Sequence, residues 1–151
     1  MDIRQFGTNQ EKETSGVWVP IGHDLQVKIC RIGNERYESY LRQIGKPMKH
    51  QLRRGDADPK ESKSLLIRAI ARHVLVDWDG LEEPDENGKL HKIEYSEKKA
   101  IQLLEDYPEF YRLILDLGND PSLFKDDDEG NSEPSSDGQS SMGSTSPASA
   151  D

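Results

Sequence analysis

Residues 58–78, DPKESKSLLIRAIARHVLVDW, constrain what this chain can fold into more than any other stretch. Asp58 can accept hydrogen bonds from the free amides of a first helical turn, Pro59 has no amide to leave unpaired, and Glu61 can reach back over that turn. A turn of about 100° per residue brings Leu66, Ile67, Ile70, Ala71, Val74, Leu75 and Trp78 onto one broad face and Leu65, Ala69 and Val76 onto a second. Only a strip with Glu61, Arg68 and Arg72 stays charged. The pattern predicts one helix of roughly 30 Å, covered on most sides by neighbours, with Leu66, Ile70, Val74 and Trp78 as its structural core.

Upstream, the period changes from helical to alternating. GVWVPIG and DLQVKICRI frame Gly22-His23-Asp24, which predicts a β-hairpin with Val17, Val19, Ile21, Leu25, Val27 and Ile29 on one side and Trp18 at a rim or on the opposite face. Asn34 offers a cap for a helix in which Tyr37, Tyr40, Leu41 and Ile44 form a stripe, ended by Gly45 and Pro47. Residues 46–54 then gather Lys46, Lys49, His50, Arg53 and Arg54 in a helical turn or a loop.

Downstream, Pro84 and Asn87-Gly88 predict a small hairpin or an irregular excursion. Ser96 caps a helix with Ala100, Ile101, Leu103 and Leu104 on its apolar face, which stops before Pro108. Pro108 opens another, striped by Phe110, Leu113, Ile114 and Leu117, with Gly118 as its left-handed C-terminal residue and Asp120-Pro121 starting a last turn.

Hydrophobic residues make up only 32% of the 151-residue chain, low for a globular protein. The shortfall lies in residues 126–151, which carry seven carboxylate side chains and no Lys or Arg, too little apolar surface to offset ordering entropy. The tail therefore holds most of the net charge of -9. The expected organisation is a flexible arm over 1–15 with Ile3 and Phe6 as anchors, a single domain over 16–125, and a disordered acidic Ser-rich tail over 126–151. The expected fold class is α+β, mainly helical, with an N-terminal β-hairpin and about four helices packed around a central one. The single cysteine, Cys30, fits a reducing compartment, and neither a membrane span nor a secretory signal is indicated.

Candidate chemistry is sparse. His73 and Asp77, four apart on the expected helix, could meet as an acid and a base, but the sequence near them offers no nucleophile elbow and no reactive cysteine. A structural pair is the simpler reading. His23, His50, His73 and His91 lack the spacing of a zinc site. The carboxylates Asp77, Asp79, Glu82, Glu83, Asp85 and Glu86 do not fit a calcium loop, and no metal or cofactor is expected. The basic residues 46–54 could neutralise phosphates, and the following helix suggests a helix-turn-helix. Against nucleic acid stand the acidic chain, the long linker and the apolar character of that helix. An acidic protein surface or the chain's own tail suits the cluster better.

Taken together, GVWVPIG, VKICRIGNERYESYLR, VLVDWDGL, NGK, YSEKKAIQLLEDYPEFYRLI and DPSLF resemble the tail assembly chaperones of long-tailed, siphovirus-like bacteriophages over about residues 2–125. The spacing of Trp78-Asp79-Gly80 to Tyr95-Ser96 and on to Tyr107-Pro108 carries most of the likeness. The resemblance implies a non-catalytic chaperone in the host cytoplasm, absent from the mature virion, that coats the tape measure protein while tail tube subunits polymerise around it. Many such proteins also exist as a longer frameshifted product. The tape measure protein is then the expected partner, with the tail tube protein and self-association as further candidates. A small nucleic-acid-binding regulator using residues 46–54 is the alternative. Each of the two helix stripes is first of all a core face, as amphipathic helices normally bury it, and one of them could be shared in part with a partner. The candidate partner surface then comprises Tyr37, Tyr40, Leu41, Ile44, Lys46, Lys49, Arg53, Arg54, Phe110, Leu113, Ile114 and Leu117.

Overall fold

The computed structural model describes residues 1–126. The tail expectation for residues 127–151 lies outside them. Within the described residues the fold is α+β with a helical majority.

The alternation at the N-terminal side produces its hairpin. Strands β1 (Val17–Ile21) and β2 (Leu25–Ile29) pair antiparallel, with Val19 opposite Val27 and Val17 opposite Ile29. Val19, Val27 and Ile29 face the core, while Trp18 remains 43% exposed on the other face.

The central element differs from the expectation. Helix α4 (Pro59–His73) starts on the Asp58 carboxylate, which accepts from the Lys60 amide at 2.9 Å, but it ends at His73 instead of running on to Trp78. Val74 leaves helical geometry, and β3 (Leu75–Asp79) pairs antiparallel with the open edge of β2 in the order β1-β2-β3. Leu75 and Trp78 are three apart, so a regular strand would turn them to opposite faces. A register shift between Lys28 and Ile29 lets both face inward. That same three-residue spacing is what makes the segment look helical in sequence.

Leu66 also departs from the expected core. It is 38% exposed, whereas Ile67, Ala69, Ile70 and Ala71 form the buried side of α4 and Val74 and Trp78 are buried beyond its end. Because α2 (Glu35–Gly45) and α5 (Glu97–Asp106) pack on either side of α4, the helix is rotated to bury the small alanines, and Leu66 turns outward.

After β3 the chain turns at Gly80 with φ 106°, where a Cβ would stand 1.9 Å from the Asp24 carbonyl oxygen. No side chain fits there. A short hairpin follows, β4 (Glu82–Pro84) with β5 (Leu90–Lys92). Helix α5 is capped by Ser96, whose oxygen accepts from Lys99, and α6 (Pro108–Gly118) begins at Pro108. Gly118 ends α6 without a left-handed φ. Its role is close approach: a Cβ there would lie 2.6 Å from Ile32 Cγ1, and its carbonyl accepts from the Ile32 amide at 2.9 Å. Asp120 caps the closing turn Pro121–Phe124, and Phe124 is fully buried.

Residues 1–15 hold a 3-10 turn (Ile3–Phe6) and helix α1 (Gln10–Ser15). Ile3 and Phe6, the expected anchors, are 77% and 66% exposed. Polar ties fasten the segment instead. The Asn9 amide donates to Phe124 O, the Arg31 amide donates to Glu13 O at 2.9 Å, and the Arg31 guanidinium meets the Glu13 carboxylate at 2.8 Å. Basic α3 (Lys49–Arg54) follows a 3-10 turn at Lys46–Met48. No helix among the described residues is long and apolar enough to cross a membrane.

Candidate functional site

The segment from Trp78 to Tyr107 builds an open, largely apolar cleft on the surface. Trp78 is buried, its indole N–H donates to Ile93 O at 2.8 Å, and its ring meets Tyr95 edge-on with centroids 4.8 Å apart. The Tyr95 hydroxyl lies 3.0 Å from Leu75 O and 3.1 Å from Ala71 O, so it ties the end of α4 to the start of β3. Burial pushes that phenol up to about 12, helped by Glu97 and Asp77. It stays protonated and donates. The motif residues that stand out in sequence are thus the frame of the domain.

On this frame the β4–β5 hairpin faces the α5–α6 junction across a cleft of about 380 Å³. Ile93 and Leu103 form its base, Leu81, Pro84 and Phe110 its sides, and Tyr107, 58% exposed, its mouth. Glu82, Glu83 and Glu109 complete the lining. Glu83 holds Lys99 at 3.3 Å and Glu109 holds Arg112. The cleft can therefore take an apolar ridge with polar flanks, such as one face of an amphipathic helix.

The expected partner-facing residues scatter. Tyr37 and Ile114 are core, with exposures of 5% and 0%, and cannot meet a partner. Both belong to the buried core of the domain. Tyr40 is half-buried, stacked edge-on with His73 and covered by the Arg72 guanidinium at 5.0 Å. Ile44, Leu113 and Leu117 are half-buried. Phe110 lines the cleft just described, while Leu41, Lys46 and Lys49 line another at the α2–α3 elbow. Arg53 and Arg54 stand exposed on α3, and Arg54 meets Asp56 at 3.4 Å. The two helix stripes do not join into one groove. Sequence periodicity finds Phe110 but misses Leu81, Pro84, Ile93 and Tyr107, which no helical or strand period connects; only the short spacing around Pro84 and Pro108 hints at them.

His73 and Asp77 are not one helical turn apart. His73 closes α4 and Asp77 lies on β3, where its carboxylate accepts from the Trp78 amide. Both border a further cleft together with Cys30, Lys28, Arg36, Arg72 and Glu97. Burial pushes the Cys30 thiol up to about 11, and it donates to Thr14 O at 3.2 Å. A thiol so held is protonated and a poor nucleophile. His73 is held below its ordinary value by burial, then by Arg72 and Arg36. Among the described residues, no group of three or more His, Cys, Asp or Glu is placed to hold a metal ion. His91 pairs with Asp85 at 2.7 Å and Lys92 meets Asp79 at 3.7 Å in the acidic excursion.

Fold and clefts define the class: a small α+β domain whose open surface features are shallow and partly apolar. A family model described as YdaY prophage protein matches residues 32–133, more than half of the chain. The chain belongs to the YdaY prophage protein family and is phage-derived. The matched region begins after β2 and includes the Trp78–Tyr95 frame and the cleft built on it. No curated protein and no solved structure matches the chain.

Proposed function

We propose that this prophage protein is a tail assembly chaperone, a binding protein without chemistry that shields apolar stripes of a tape measure protein in the host cytoplasm. The observation that carries this reading is the open cleft mouthed by Tyr107, set on the Trp78–Tyr95 frame that also carries the sequence likeness to such chaperones. A tape measure protein is a long helical chain with exposed apolar stripes, and a groove between short helices and a hairpin masks such a stripe. Mass action does the rest. Binding lowers the concentration of free aggregating chain, and weak individual contacts let polymerising tube subunits displace the chaperone copy by copy.

Co-expression tests this directly. The long helical tape measure protein of the same prophage is produced with and without this chain, and the soluble fraction of each is measured. Recovery of soluble partner only in the co-expressing cells is the expected result; equal solubility in both defeats the proposal.

A further inference from the structure

The α2–α3 elbow carries a second shallow cleft, of about 360 Å³, formed by Leu41, Gly45 and the stems of Arg42, Lys46 and Lys49, with Glu38 at one end. Such stems make an apolar wall under a charged rim. Residues 46–54 contain Lys46, Lys49, Arg53 and Arg54 and no carboxylate. Among the described residues, Arg42, Lys46, Lys49 and Arg53 have no ion-pair partner, and Arg54 has only exposed Asp56. The elbow is thus a concentrated positive surface that the folded domain does not neutralise.

The same chain supplies the opposite charge. Residues 127–151 contain six carboxylate side chains and no Lys or Arg, with five of the six between positions 127 and 137. They continue from Asp126, whose carboxylate accepts from Asn9 at 2.7 Å. Twenty-five residues can span up to about 80 Å, against a radius of gyration of about 14 Å for a domain of this size. Reach is no obstacle, and a tethered segment has an effective concentration on the order of millimolar. The β4–β5 side repels it, since Glu82, Glu83, Asp85 and Glu86 lie there.

We infer that residues 127–151 dock on the α2–α3 elbow of their own chain, with the carboxylates of 127–137 against Lys46, Lys49 and Arg53, and cover the Leu41 cleft. The contact is an electrostatic cover that a stronger anionic partner displaces. It goes beyond the proposed function and does not depend on it, because the Tyr107 cleft lies on other elements.

Amide NMR spectra of the full chain test it, comparing the natural tail with one carrying Asp127→Asn, Asp128→Asn, Glu129→Gln, Glu133→Gln and Asp137→Asn. The expected difference is a set of shifts confined to the elbow, about residues 41–54, unchanged on dilution and lost near about 0.5 M salt, where screening reaches a few ångströms. The triple variant Lys46→Glu, Lys49→Glu, Arg53→Glu, all exposed positions, abolishes the same shifts. Shifts centred elsewhere, or none, overturn the inference. Shifts that fade on dilution overturn it in favour of a second copy's tail. Elbow signals that ignore the tail but move on adding duplex DNA overturn it in favour of a nucleic-acid surface.

Discussion

The side-chain amide of Asn34 donates to the His73 carbonyl at 3.0 Å, joining the start of α2 to the point where α4 stops being a helix. The same amide donates to Arg31 O, and the Asn34 oxygen accepts from the Arg36 and Tyr37 amides, so this buried polar group is fully paired. Asn34→Ala removes a cap and leaves two carbonyls without this donor, an expected loss of about 2–4 kcal/mol. Asn34→Asp keeps the cap but sets a carboxylate against both carbonyls, and falls between. Urea unfolding of the three proteins checks the order.

Gly118→Ala is expected to destabilise although alanine is the better helix former by about 1 kcal/mol. The new methyl meets Ile32 Cγ1 at 2.6 Å and Cδ1 at 2.9 Å, an overpacking cost of about 1–3 kcal/mol. Adding Ile32→Ala makes room, so the double variant should recover part of the loss. A double-mutant cycle that returns simple additivity would show that the two side chains do not compete for this space.

The Cys30 thiol, fully enclosed and shifted from an ordinary 9.0 to about 11, has a thiolate fraction reduced about a hundredfold at neutral pH. Its modification by an aromatic disulfide reagent should be slow in the native chain and immediate in urea. Fast native labelling would show that α1, which carries Thr14, opens away from Cys30.

His73 gives the stability a sign with pH. Burial, then Arg72 and Arg36, hold its ring below the ordinary 6.5, while Glu97 pulls the other way. The unfolded chain takes up this proton near that ordinary value and the folded chain only at lower pH. The contribution is therefore intact above about pH 6.5 and is lost as pH falls towards the folded value. His73→Gln should flatten the fall in stability between about pH 7.5 and about 5.5. An NMR titration of the His73 ring in the native chain should give a midpoint below 6.5.

Tyr107 and Leu90 separate the cleft from exposed apolar surface in general. Both are more than half exposed, at 58% and 56%, but only Tyr107 borders the cleft. Tyr107→Asp should leave the melting temperature within a degree or two and cut recovery of soluble tape measure protein several-fold, since surface changes away from packed features cost about 0.5 kcal/mol or less. Leu90→Asp should leave recovery unchanged. Equal effects would remove the cleft from the mechanism.

Much of the fold is legible residue by residue wherever a local interaction decides it. Asn34, Asp58 and Ser96 start helices because their own side chains pair the amides two or three positions on, and Pro108 starts one because it has no amide to pair. The first hairpin follows from strict alternation about Gly22. The candidate site was far less legible. Its lining comes from a hairpin, a loop and two helix ends that share no period, and the stripes that do have a period sent Tyr37 and Ile114 into the core.

What the amino-acid order determined by itself was where helices begin, where the first hairpin turns, and how the charge is distributed. Each depends on neighbours a few bonds apart, whose interactions survive in any context. What only the tertiary structure decided was the fate of residues 74–79, the outward turn of Leu66 and the need for glycine at 118. A Leu and a Trp three apart suit a helix face or a bulged strand equally, and the unpaired edge of β2 tipped the balance, because its amides and carbonyls gain partners only if that segment extends.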